Sequence, residues 1–90
     1  MHMNATLEES ASLLRALSEQ TRLRIVGLLL STDKKLCVCE IRDALNEHQY
    51  NVSRHLKELK MSGLLKERRE GRWIYYSLAE PTSEFQKLVF

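Results

Sequence analysis

The chain has 90 residues, 43% hydrophobic and 29% charged, with two cysteines and 14 basic against 12 acidic side chains for a net charge of +2. That is the make-up of a single small globular domain spanning 1–90, whose thin core would gain from self-association. It excludes a stapled secreted scaffold and a membrane protein: no run approaches the ~18–20 apolar residues of a span, no signal-peptide pattern stands at the start, and the cysteines are too close together to close a useful loop.

Residues 1–5 are expected to be flexible or an expression remnant, without function. Leu7, Ala11, Leu14 and Leu17 then recur at helical spacing and predict a first helix over 6–17. Ser18 is placed to cap a second helix running to Leu30, with Leu23, Val26 and Leu30 as its core stripe and Leu29 beside it. Ser31, Thr32 and Asp33 break the chain. A short third helix is expected over 38–45, a polar turn at 46–48, and a fourth helix over 49–62 that ends at Gly63. Two runs rich in β-branched and aromatic residues, 64–69 and 72–78, flank Glu70-Gly71 and read as a β-hairpin. This register sets Arg69 opposite Arg72 and Arg68 opposite Trp73, where Arg68 can lie on the indole. Pro81 opens a last helical piece over 82–90. The order α-α-α-α-β-β-α is that of a winged helix-turn-helix, mainly α with a β-hairpin wing.

At about 100° per residue, the fourth helix buries Val52, Leu56 and Leu59. Tyr50, Arg54, Lys57 and Met61 point the other way, and Ser53 lies on the flank. An exposed face of this kind suits a DNA major groove: Arg54 can bond a guanine, Ser53 or Tyr50 a phosphate or base edge, and Gln49 an adenine. Asn51 lies nearer the buried side. His55, close to the core stripe, is assigned to packing or a local hydrogen bond. On the hairpin, Arg69 and Arg72 are placed to reach phosphates or a minor groove. A solvated charged face is the bland alternative; the short helix before and the basic hairpin after favour double-stranded DNA.

Cys37 and Cys39 sit one residue apart ahead of the third helix, behind Lys34 and Lys35. In a helix they would face about 200° apart; in an extended segment they would share a side. One ion held by both sulfurs therefore requires a non-helical or unwound helix start. Thiolates favour arsenic(III), antimony(III), cadmium, lead, zinc or copper(I) over hard ions. Zinc and cadmium want further ligands, for which His2 and His48 are the available histidines. The competing view makes both cysteines small buried hydrophobes.

Together these segments resemble the arsenic-repressor (ArsR/SmtB) family of winged-helix repressors. The resemblance is carried by Ala-Leu-Ser-Glu-Gln-Thr-Arg-Leu-Arg-Ile at 16–25, Leu-Cys-Val-Cys-Glu-Ile at 36–41, Val-Ser-Arg-His-Leu at 52–56, Ser-Gly-Leu-Leu at 62–65 and Glu-Gly-Arg-Trp-Ile-Tyr-Tyr-Ser-Leu at 70–78. It implies a homodimeric repressor on an inverted repeat in its own promoter, released by metal or metalloid bound at Cys37 and Cys39; the closely spaced cysteines, read as free thiols, favour a reducing cytoplasm. It further implies a dimer contact between the first and last helices, with Leu7, Leu14, Phe85 and Leu88 as candidates. Relatives that sense arsenic often carry a third cysteine where this chain has Arg42, and those that sense cadmium or lead add cysteines from the N-terminal arm, absent here. The zinc pattern of the last helix is absent as well. Arsenic(III) or antimony(III), completed by solvent or an exogenous thiol, ranks first as inducer, ahead of cadmium, lead or zinc. The alternatives are a redox-responsive or ligand-insensitive repressor of the same fold, and a small thiol oxidoreductase or metal carrier. The last lacks CxxC spacing and any acid–base pair near the thiols, so no enzyme is expected.

Overall fold

The computed structural model describes residues 3–80, with side chains from Leu7 onward. The elements are α1 (Met3–Ala16), α2 (Gln20–Leu30), β1 (Leu36–Cys37), α3 (Val38–Leu45), α4 (Gln49–Met61), β2 (Leu65–Glu70) and β3 (Trp73–Leu78). This is the winged helix-turn-helix expected from the sequence, with one strand more. The helix expected over 82–90, with Phe85 and Leu88, lies outside the described residues.

α1 turns Leu13 and Ala16 inward. Leu7 and Leu14, the candidates for a dimer contact, are 61% and 54% exposed. Ser18 does not cap α2; its hydroxyl donates back to the Arg15 carbonyl at 2.7 Å and so closes α1. Glu19 is the N-cap, its carboxylate accepting from the Arg22 N–H at 2.9 Å. α2 buries Thr21, Ile25, Val26 and Leu29 rather than Leu23 and Leu30. Its apolar run fits more than one helical stripe, and packing against α4 selects among them.

α3 starts and ends where the sequence placed it. Asn46 terminates it at φ 53°, a left-handed conformation that asparagine tolerates better than most residues. The Arg24 guanidinium donates to the Leu45 carbonyl at 2.6 Å, satisfying an orphan acceptor at the helix end. Ile41 from α3 joins Ile25 from α2 and Val52, Leu56 and Leu59 from α4 as the fully buried centre. Burial of such a side chain contributes ~1.5–3 kcal/mol, so this three-helix joint fixes how α4 is presented. α4 ends at Met61, and Gly63 takes φ 87°, as a terminating glycine should.

The sheet order is β1-β3-β2, antiparallel throughout. β1 pairs Leu36 with Tyr76 and Cys37 with Tyr75; two residues are too few to announce a strand by periodicity. The hairpin register also differs from expectation. Glu70 faces Trp73, Arg69 faces Ile74 and Arg68 faces Tyr75, so the two-residue turn is Gly71-Arg72 rather than Glu70-Gly71. Gly71 has φ 64° and Arg72 does not share the positive region, the pattern of a type II′ turn with glycine leading. Tyr76 and Leu78 pack on the core. No helix among the described residues is long and apolar enough to cross a membrane.

Candidate nucleic-acid interface and thiol site

α4 presents one continuous polar face. Tyr50 is 80% and Met61 72% exposed; Ser53, Arg54 and Lys57 are exposed with them, and Asn51 is half-buried. The Arg54 guanidinium donates to Asn51 Oδ1 at 2.9 Å, so Asn51 steadies the arginine along its own helix. Gln49, the first residue of α4, accepts from Arg42 Nη1 at 2.8 Å.

Behind this face, His55 is 2% exposed, in keeping with the packing role read from its position. Arg22 Nε donates to His55 Nδ1 at 3.1 Å, and Arg22 Nη1 reaches the Ala16 carbonyl at 3.4 Å. Glu19 lies 3.5 Å from His55 Nε2. One arginine thus ties the end of α1 and the start of α2 to the middle of α4. Neither Arg22 nor Glu19 stood out in the sequence, because nothing local marks a partner 33 residues away. Burial pushes the His55 imidazole below its ordinary value; Glu19 opposes this, and the Arg54 and Arg22 charges add to it.

The wing carries its cations differently from expectation. Arg68 does not lie on Trp73; its Nε is 3.6 Å from Glu70. Arg72, in the turn, sits over the Trp73 ring at 5.4 Å. Arg69 is one rung inside the turn. Among the described residues neither Arg69 nor Arg72 has an ion-pair partner, which leaves both charges available to an anion. Lys60 pairs with Glu67 at 2.5 Å, fastening the last turn of α4 to β2. Lys35 pairs with Glu70 and lies 5.2 Å from the Tyr75 ring centre, so it braces the wing.

Both cysteines are free. Cys37 ends β1 and is the N-cap of α3, with extended backbone (φ −85°, ψ 167°). Cys39 is in the first turn. The pair therefore straddles a strand–helix junction. Cys37 shares a face of the sheet with Tyr75, its cross-strand partner. That face lines an open cleft of about 1120 Å³ with Lys34, Lys35, Glu40 and Trp73 at its walls; Cys37 itself is buried and Cys39 half-buried. Glu40 accepts from the Cys37 N–H at 2.9 Å and holds the junction closed. Among the described residues no third Cys, His, Asp or Glu joins the two thiols in a ligand cluster; His48 occupies the N-cap position of α4 without a side-chain capping bond.

Residues 19–67 match the family described as bacterial regulatory protein, arsR family. The arsenical resistance operon repressor of Escherichia coli is 48% identical over 67 residues, covering 74% of this chain and 56% of its own length. The arsenic resistance transcriptional regulator ArsR2 of Pseudomonas putida is 47% identical over 64 residues, covering 71% and 55%. The chain thus spans little more than half of these two relatives. Among solved structures, a homodimeric winged helix-turn-helix DNA-binding domain from Mycobacterium bovis superposes with a TM-score of 0.78 at 33% identity, over 88% of this chain and 71% of that one.

Proposed function

The chain belongs to the arsR family of bacterial regulatory proteins, and from that premise we propose a dimeric, operator-binding repressor that lets go of DNA when arsenic(III) or antimony(III) is held by Cys37 and Cys39. The observation that carries the reading is the position of the thiols: they lie at the strand–helix junction that opens α3, and α3 packs through Ile41 on the α4 core. The names of the two relatives, both concerned with arsenic resistance, support the choice of inducer.

The donor set fits a soft centre that accepts two protein sulfurs and one outside ligand. It fits zinc and cadmium less well, since both want further ligands and none beyond the cysteines is assembled among the described residues. Cadmium or lead is the second choice. Cys37 is extended and Cys39 lies in the first turn of α3, so drawing both sulfurs onto one centre rearranges that first turn and strains the Cys37–Glu40 cap. The remaining turns of α3 carry that displacement to Ile41 and thence to α4. Gln49, Tyr50, Asn51, Ser53, Arg54 and Lys57 would address the groove, with Arg69 and Arg72 on flanking phosphates.

The test is anaerobic fluorescence anisotropy of the reduced protein on DNA from upstream of its own gene, with arsenite, cadmium and zinc titrated in turn. Release by arsenite, abolished in both Cys37→Ser and Cys39→Ser, is the expected result. Tight binding that no ion disturbs removes the thiol switch; release by peroxide alone replaces it with a redox sensor.

A further inference from the structure

We propose that Arg42, which lies on α3 and outside the DNA-facing set, is a positioning residue for base recognition: it sets the orientation of Gln49 at the leading end of α4. The inference rests on the DNA-reading half of the function proposed above and not on its thiol half.

Arg42 is in the last turn of α3, its side chain about one-third exposed at 35%. Its guanidinium is held from two sides. Nε donates to Asp43 Oδ1 at 3.0 Å, and Nη1 donates to Gln49 Oε1 at 2.8 Å. The bond crosses the turn of the helix-turn-helix and joins residues seven apart. Guanidinium groups have donors and no acceptor. A carboxamide facing one must therefore turn its oxygen inward, and the N–H2 group is left outward. That resolves a choice which a free glutamine leaves open. The leading side chain of α4 is presented as a donor, suited to a purine N7, a guanine O6 or a phosphate oxygen. A glutamine without this anchor would present oxygen or nitrogen with similar ease and would have to lose rotamer freedom on binding. Asp43 neutralises much of the Arg42 charge, so Arg42 contributes geometry to the interface rather than a phosphate contact of its own.

A double-mutant cycle tests this. Affinities are measured by anisotropy at matched salt for two duplexes: one delimited by footprinting upstream of the gene, and a shuffled duplex of the same length and composition. Arg42→Met and Gln49→Ala should each lower the preference for the upstream duplex by about fivefold or more; Gln49→Ala should leave the shuffled duplex bound as before, while Arg42→Met, which leaves the Asp43 carboxylate unpaired, should also weaken both duplexes by a common factor. The double variant should lose no more preference than the worse single variant, because both break one device. Arg42→Lys keeps a donor of similar reach and should retain most of the preference. Circular dichroism and the unfolding midpoint confirm that each variant folds. Multiplicative losses in the double variant would overturn the proposal. So would equal losses on both duplexes, an unchanged preference in Arg42→Met, or a loss in Arg42→Lys as large as that in Arg42→Met. If the unaltered protein shows no preference for the upstream duplex, the DNA-reading assignment falls and this proposal with it, which separates that failure from the others.

Discussion

At the scale of single residues, the candidate interface depends on side chains behind it as much as on those it displays. His55 is buried beneath the exposed face of α4 and takes a hydrogen bond from Arg22 through Nδ1, which only the neutral ring can accept. Its folded-state value is lowered from 6.5, chiefly by burial. The unfolded chain therefore binds the proton first as pH falls. Stability is fully present above about 6.5 and is lost as pH drops through the lower folded value. Glu19 acts in a more acidic window. Burial opposes its ionisation, but the backbone N–H groups of Arg22 and Thr21, and then His55, bring its carboxyl below 4.5, so its contribution disappears only below that pH. Differential scanning calorimetry between pH 7.5 and 5 should show a falling midpoint. In His55→Asn, whose amide oxygen can still accept from Arg22 but does not titrate, that fall should be flatter; an identical slope would mean that other groups carry it. On the outer face, Arg54→Ala should weaken operator binding by ~1–3 kcal/mol if the guanidinium reads a base. Unchanged affinity at matched salt would reduce Arg54 to a solvated charge.

Among the elements, the wing shows where sequence pattern succeeds and where it stops. Alternating β-branched and aromatic residues around a glycine identified a hairpin, but two turns are compatible with Glu70-Gly71-Arg72. The choice depends on which position needs the positive φ. Gly71 takes it as the first turn residue, and this moves every cross-strand partner of Arg68 and Arg69. Nothing lies within 4 Å of where a Gly71 Cβ would stand, so Gly71→Ala should cost only backbone strain, ~1–2 kcal/mol, read as a lower denaturation midpoint. The same limit explains α2: an apolar run from Leu23 to Leu30 does not say which side faces α4, and the Arg22–His55 bond that helps settle it is tertiary. α3 and α4 were legible because a single amphipathic stripe and clear end signals agreed. As a module, the wing should act through charge alone. Arg69→Ala and Arg72→Ala should weaken binding to all duplexes alike and each flatten the salt dependence by about one phosphate contact. A change in sequence preference with an unchanged salt slope would show that the wing reads bases.

For the molecule as a whole, the described residues leave apolar surface that a lone chain of this size has little reason to expose. Leu7 and Leu14 lie two helical turns apart on α1 and remain 61% and 54% exposed, while Leu13 and Ala16 of the same helix are buried. α1 thus has two apolar stripes, and only one is used by the fold described. Sequence periodicity merged them, because Leu7, Ala11, Leu14 and Leu17 fit a helix without telling core from contact surface. The outward stripe fits the self-association proposed above. Two copies of α4 held at fixed separation would engage successive major-groove segments, as dimeric helix-turn-helix proteins do. Each copy alone would keep only the charge-driven part of the affinity. Leu14→Glu separates these ideas, since it places a charge on the outward stripe without entering the core. Sedimentation velocity should show the unaltered protein heavier than one chain and Leu14→Glu as a single chain with a similar unfolding midpoint. Its preference for the upstream duplex over a shuffled one should collapse while weak, salt-sensitive binding persists. A variant that sediments as the unaltered protein does would place the dimer contact elsewhere than this stripe of α1. A single-chain variant that kept its full preference would show that one copy of α4 and its wing suffice to recognise the operator.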